Sequence, residues 1–344
     1  MLWVTWRQFR PQAITGAVAL AAIAITLALT GPHLAGLYSS SGLASCKSTC
    51  GTQAGNFINQ VKGSATELIF YGGIILVYAV PALIGIFWGA PLITREVEAG
   101  TFRLAWNQSV TRRRWVTTKL GLVGLASMAA AGLLSFMISW WDSPLYRAAA
   151  RAGQTSLSIS RLAPPLFGAT GIAPVGYAAF AFALGVTAGL LVRRTIAAMA
   201  ITLAVFVAIQ ILWPVFVRPH LVSPAHISRA LAAVTWSGVG DDRGGHLILL
   251  PGAISGLAAD AWITRSTPVT AAGQPATMTP AACNSRFSSD ARFLGCLQDQ
   301  GIRMAVTYQP ASRYWEFQWL ETGIFLVLAG GLGGACYWRL RRLA

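Results

Sequence analysis

Six stretches of this chain, roughly residues 13–30, 68–92, 120–141, 173–192, 195–217 and 322–338, contain no Asp, Glu, Lys or Arg. Each is close to the ~20 apolar residues that a helix needs to cross a hydrocarbon core. Backbone in lipid has to satisfy its own hydrogen bonds, so such segments are expected to be helices. The expected fold class is therefore an all-α integral membrane protein with six transmembrane helices. Composition agrees: only 11% of residues are charged, against ~25% in a soluble domain. The first stretch is read as a retained helix rather than a signal peptide, because it exceeds the usual apolar core of a leader and no small-x-small cleavage site follows.

Arginine placement sets the expected orientation. With the N-terminus inside, the inner segments are 1–12, 93–119, 193–194 and 339–344, and they hold 13 of the 26 basic residues with only two acids, Glu96 and Glu98. The other nine acids lie elsewhere. This bias predicts cytoplasmic termini, with Arg193 and Arg194 in a very tight inner turn. It also accounts for much of the formal charge of +15 without a nucleic-acid partner. Membrane lipid is the expected surrounding.

The extramembrane pieces divide the chain further. Residues 1–12 place Leu2, Trp6 and Phe9 on one stripe, as expected of an amphipathic interfacial helix, with Pro11 expected to break it before the first span. Spans one to five occupy 13–217, interrupted by the inner loop 93–119. Residues 218–321 form a long outer region of about a hundred residues, too long for a bare connection, in which 291–304 is expected to be helical. The sixth span and an inner tail fill 322–344. The glycines of the last span, Gly330, Gly331, Gly333 and Gly334, are expected to serve close helix packing.

Cys46, Cys50, Cys283 and Cys296 all fall outside by this topology, whereas Cys336 lies in the last span. The CKSTC spacing is not that of a common metal site, and no His lies close by, so disulfides on an oxidising face are expected. Four cysteines allow three connectivities. Local pairing, Cys46 with Cys50 and Cys283 with Cys296, is preferred.

The inner loop carries the functional signal. Glu96, Glu98, Gly100, Thr101 and Arg103 are followed by a polar turn at Asn107–Ser109. Arg112, Arg113 and Arg114 then lead into a helix containing Lys119. Three arginines oppose the positive end of a helix dipole, so lipid phosphate or an acidic protein surface explains them better than capping does. This pattern resembles the coupling segment of ABC type-2 exporter permeases, which lies between the second and third spans, as here. Residues 1–12 resemble that family's elbow helix. Residues 87–106 (FWGAPLITREVEAGTFRLAW) and 307–325 (TYQPASRYWEFQWLETGIF) resemble permeases of actinobacterial ABC transporters.

The resemblance implies that Glu96, Glu98, Gly100, Thr101, Arg103 and the arginine triplet dock on a separate ATP-binding cassette ATPase. It also implies a homodimer or a pair with a similar subunit, export of an apolar or amphipathic substrate, and a bacterial plasma-membrane location. No G-x-x-x-x-G-K-[ST] loop stands in the chain, so no cofactor is expected here and ATP with Mg²⁺ would belong to the partner. The chain is not expected to be an enzyme, since it has neither H-E-x-x-H nor G-x-S-x-G and His33, His220, His226 and His246 are scattered outside. Two other readings are a secondary transporter, disfavoured by apolar cores without ionisable relays, and a non-transporting scaffold or sensor, which would not need the Glu-x-Glu-x-Gly-Thr loop.

Overall fold

The computed structural model describes residues 2–46, 50–98, 112–151, 160–241, 246–258, 260–283 and 290–342. At some of these, including Glu96, Arg112, Arg113 and Arg114, the backbone alone is described. Among the described residues, six helices are long and apolar enough to cross a membrane: Thr5–Ser40, Ala65–Arg95, Thr117–Trp141, Ala173–Val192, Thr195–His220 and Ala311–Arg339. Six crossings by these helices would put both termini at one face of the bundle. The loops holding the four paired cysteines then share the opposite face. These are called the termini face and the disulfide face below.

The first helix, α1, runs from Leu2 to Ser40 through Pro11 and Pro32. The break expected at Pro11 is absent. A proline removes one ladder bond and bends a helix, but it does not end one whose flanks are held by packing. Phe9 is buried and meets Trp88 edge-on at 4.9 Å, which fixes the segment before Pro11 against the second span. The second span is a composite of α3 (Ala65–Ile84), a π-helical turn (Gly85–Gly89) and α4 (Pro91–Glu98). Between α1 and α3 lies a short amphipathic helix, α2 (Gly51–Val61). The third span is α5 (Arg112–Trp141), followed by α6 (Ser143–Arg151) and a single turn, α7 (Pro164–Phe167).

The fourth span, α8 (Ala173–Val192), is the hub. Buried residues make up 72% of its apolar window, against 6% for the first span. It packs against the second, third, fifth and sixth spans. Ala, Gly and Phe make up much of it, so neighbours approach on every side. The expected tight turn follows: Arg193 takes the left-handed conformation (φ 55°), Arg194 is extended, and α9 (Thr195–Leu212) returns. A π-helical turn (Trp213–Val217) and a 3₁₀ turn (Arg218–His220) complete the fifth span.

Residues 218–321 add β-structure to the helical bundle. Strands β1 (Ala225–Ala230), β5 (Arg303–Gln309) and β4 (Trp262–Val269) form an antiparallel sheet in that order, and β2 (Val234–Asp241) pairs with β3 (Leu247–Ile254). Pro268 is tolerated because β4 is an edge strand. The expected helix is present as α10 (Asp290–Asp299), but its C-terminal part becomes β5. Phe293 and Leu297 of α10 share a core with Leu231, Leu249, Met304 and Val306. The last helix, α11 (Tyr314–Arg342), leaves this region for the sixth crossing. Both local disulfides, Cys46–Cys50 and Cys283–Cys296, are formed, and Cys336 is a buried free thiol.

Candidate functional site

Small residues determine how the second and fourth spans meet. Gly85 and Gly89 on one helix face Gly185 and Gly189 on the other, a four-residue spacing on both sides. A methyl group at Gly85 would stand 2.7 Å from the carbonyl oxygen of Ala181, and one at Gly89 would stand 2.6 Å from that of Phe182. At Gly189 it would meet the Ala90 carbonyl at 2.6 Å. The backbones are therefore in direct contact, which lets two apolar helices grip each other without a hydrophobic driving force. The π-helical turn Gly85–Gly89 lies in this seam. The last-span glycines expected to do this job do not do it within the chain: a methyl at Gly330, Gly331, Gly333 or Gly334 would meet nothing within 4 Å. Spacing alone did not distinguish a seam that is covered from one that is not.

Beyond the seam, α4 carries the start of the coupling-like motif. Thr94 is buried and returns its hydroxyl to the Ala90 carbonyl at 2.6 Å. At the end of α4, Glu98 reaches the first turn of α9. The Thr195 backbone N–H donates to Glu98 Oε1 at 2.8 Å and the Thr195 hydroxyl donates to Oε2 at 2.7 Å. Arg194, at the N-cap, makes no side-chain cap, so Glu98 satisfies an orphan donor of α9 from another element. The two Thr195 bonds, with help from nearby Arg95, hold the Glu98 carboxyl below its ordinary range.

Of the residues predicted for coupling, Glu98 is thus placed against the turn between the fourth and fifth spans. Glu96 lies on α4, and Arg112, Arg113 and Arg114 open α5. Gly100, Thr101 and Arg103 lie outside the described residues.

A second polar cluster occupies the disulfide face. Arg218, at the end of the fifth span, and Glu321, in the sixth, are fully buried and paired. Arg218 Nε donates to Glu321 Oε2 at 2.9 Å and Nη2 donates to Oε1 at 2.9 Å. The Tyr177 hydroxyl donates to Glu321 Oε1 and accepts from Arg218 Nη2. Arg218 Nη1 reaches the Pro164 carbonyl at 3.4 Å, the guanidinium lies 4.3 Å from the Phe167 ring, and Tyr78 donates to the same Pro164 carbonyl at 2.9 Å. Four of the spans and the loop before α8 therefore meet at one latch or one turn from it.

Gln318, one turn before Glu321, accepts from the Ile172 and Ala173 N–H groups at 2.9 and 2.8 Å and donates to the Phe167 and Thr170 carbonyls. The Arg218–Glu321 pair was not anticipated from the sequence. The available signal was that Arg218 and Glu321 immediately flank two consecutive apolar stretches. Nearby, Arg161 lies over the rings of Tyr146 and Tyr314, at 5.0 and 4.5 Å. Asp142 beside them has its carboxyl pushed up to about 7 by burial, with Arg161 opposing.

The described residues thus form a six-span bundle with one buried central helix, held by a glycine seam near the termini face and by a polar latch at the other. The model of the ABC-2 membrane transporter related family matches residues 17–218, more than half of the chain, and the chain belongs to that family. It is therefore a permease of the ABC transporter class. No curated protein and no solved structure matches it significantly.

Proposed function

We propose that the chain is the membrane-spanning subunit of an ATP-driven exporter in a bacterial plasma membrane, with both termini cytoplasmic. A separate ATPase subunit holds ATP and Mg²⁺ and docks on the segment from Glu96 to Arg114. A second permease copy completes the pathway, and the cargo is apolar or amphipathic. One observation carries this reading: the helix that leads into the motif is joined rigidly to two other spans, through the glycine seam to α8 and through Glu98 to α9. A lever pushed at its tip must displace what it is bonded to, and a merely solvated loop needs no such anchoring.

The test separates docking from transmission. The chain is co-purified with the ATPase encoded beside its gene, and Arg103→Ala is compared with Thr195→Val. Arg103→Ala is expected to weaken the complex. Thr195→Val, which removes a bond behind the docking surface, is expected to leave the complex intact while lowering the permease's effect on ATP turnover. Unchanged complex formation and unchanged turnover in both variants would refute the reading.

A further inference from the structure

A cavity of about 260 Å³ opens on the termini face between α1, α4 and the start of α5. Its walls combine two kinds of surface. Phe9, Trp88 and Leu92 are apolar, whereas Gln8, Arg95 and Lys119 are polar or cationic. Lys119 is almost fully buried, at 4% exposure, and Arg95 is exposed at the mouth.

Depth identifies what such a cavity meets. Arg95 ends the second span and Lys119 stands two residues inside the third, so both cations lie where hydrocarbon gives way to headgroups. An independent marker agrees: Trp3 and Trp6, on the same stretch of α1, are 68% and 48% exposed, as expected of aromatic side chains in the interfacial belt. The Arg7 guanidinium lies over the Trp3 ring at 5.4 Å. One water needs roughly 10–15 Å³ of such cavity space, so the cavity, at about 260 Å³, can admit a group much larger than water.

We propose that this cavity binds the headgroup of an anionic phospholipid, with the phosphate between Arg95 and Lys119 and the glycerol against Trp88 and Phe9. Basic pockets between transmembrane helices suit such lipids, and the mixed lining fits an amphiphile better than a free anion. The site lies on α4, directly before Glu98, so a bound lipid would brace the base of the proposed lever. The binding itself does not depend on an ATPase. The leaflet is the one at the termini face, which is cytoplasmic in the orientation proposed above.

The experiment uses the full chain, purified without the ATPase, so its failure is distinct from failure of the exporter reading. Native mass spectrometry compares retention of dioleoyl-phosphatidylglycerol and dioleoyl-phosphatidylcholine from mixed micelles. Each surface cation is worth about a fivefold change in affinity for anionic lipid. Phosphatidylglycerol should therefore be retained preferentially, Arg95→Gln should weaken it about fivefold, and Arg95→Lys should restore it. Phosphatidylcholine retention should not change.

Lys119→Gln should act like Arg95→Gln. Where burial of that position prevents folding, the exposed Arg95 pair of variants decides alone. Equal retention of both lipids, or no effect of Arg95→Gln, would overturn the proposal. So would displacement of the lipid by millimolar inorganic phosphate, which would make the ligand a free anion.

Discussion

Removing Glu321 should destabilise the chain far more than removing an ordinary ion pair. In the folded protein the Arg218 guanidinium makes two 2.9 Å bonds to the carboxylate and has no exposed surface. Glu321→Leu leaves it with the Tyr177 hydroxyl at 3.3 Å and the Pro164 carbonyl at 3.4 Å, both at the long end of the range. Two charge-assisted bonds at about 1.5–3 kcal/mol each give ~3–6 kcal/mol. Breaking a buried pair from one side costs about 3–5 kcal/mol by direct comparison. Arg218→Met should cost a similar amount, by orphaning the carboxylate.

The double variant Arg218→Met with Glu321→Leu leaves no buried charge, keeps similar volume and should return to within ~1–2 kcal/mol of the parent. Reversible unfolding of the four proteins in mixed micelles, followed by tryptophan fluorescence, gives the cycle. A single-variant cost under ~1 kcal/mol, typical of a solvated pair, would refute the description of the latch as buried. A double variant whose cost equals the sum of the two single costs would refute the claim that the charges act on each other.

Three further outcomes are expected. Gly89→Ala should destabilise by roughly 1–3 kcal/mol through overpacking against the Phe182 carbonyl, whereas Gly331→Ala, which lies inside a helix and meets nothing, should not destabilise and should gain up to ~1 kcal/mol of helix propensity; equal costs in thermal unfolding would show that the seam is misplaced. The Asp142 carboxyl is raised by burial to about 7, so from about 4 up to 7 the folded state holds a proton that the unfolded state has released, and stability should fall as pH rises across that window. Asp142→Asn should flatten that dependence, and an unaltered slope would remove Asp142 as its source. Denatured without reductant, the protein should titrate a single thiol, Cys336, out of five cysteines; five reactive thiols would contradict both disulfides.

The spans were legible because each needs only apolar length, and residue spacing in sequence translates directly into depth. Arg193 and Arg194 were legible for a similar reason: two charged residues between long apolar runs leave little choice but a turn. The glycine seam was not. Whether a glycine is packed depends on which helix faces it, and the last-span Gly330 looks no different in sequence from Gly185. The Arg218–Glu321 latch was half legible, since its members flank apolar stretches but lie about a hundred residues apart. Pro11 misled because its cost is local while the contact that overrides it, Phe9 on Trp88, is tertiary. In 218–321 the alternation of β5 is short and merges with the helical pattern of α10, so periodicity could not divide them. Of the coupling-like motif, what sequence could not anticipate is that Glu98 already has a partner in Thr195.

On the exporter reading proposed above, that partner adds a mechanical role to the motif. A carboxylate bonded to the first turn of α9 would then serve as a joint as well as lying in the docking segment. The other joint is the seam, which ends at Gly189, and the latch takes hold of the same helix at Tyr177. Twelve residues of α8 separate them, about 18 Å of helix at 1.5 Å per residue. A buried helix packed by backbone contact has little room to bend, since packed interiors shift between discrete arrangements rather than deforming continuously. A displacement of α4 large enough to matter must therefore either slide along the seam or carry α8 with it. Glycine contacts resist sliding less than interdigitated side chains would, but the Glu98–Thr195 bonds oppose it by tying α4 to the helix that follows α8. The two joints together leave rigid-body movement of α4, α8 and α9 as the easier response, and that movement loads the latch between Arg218 and Glu321, where the fifth and sixth spans meet.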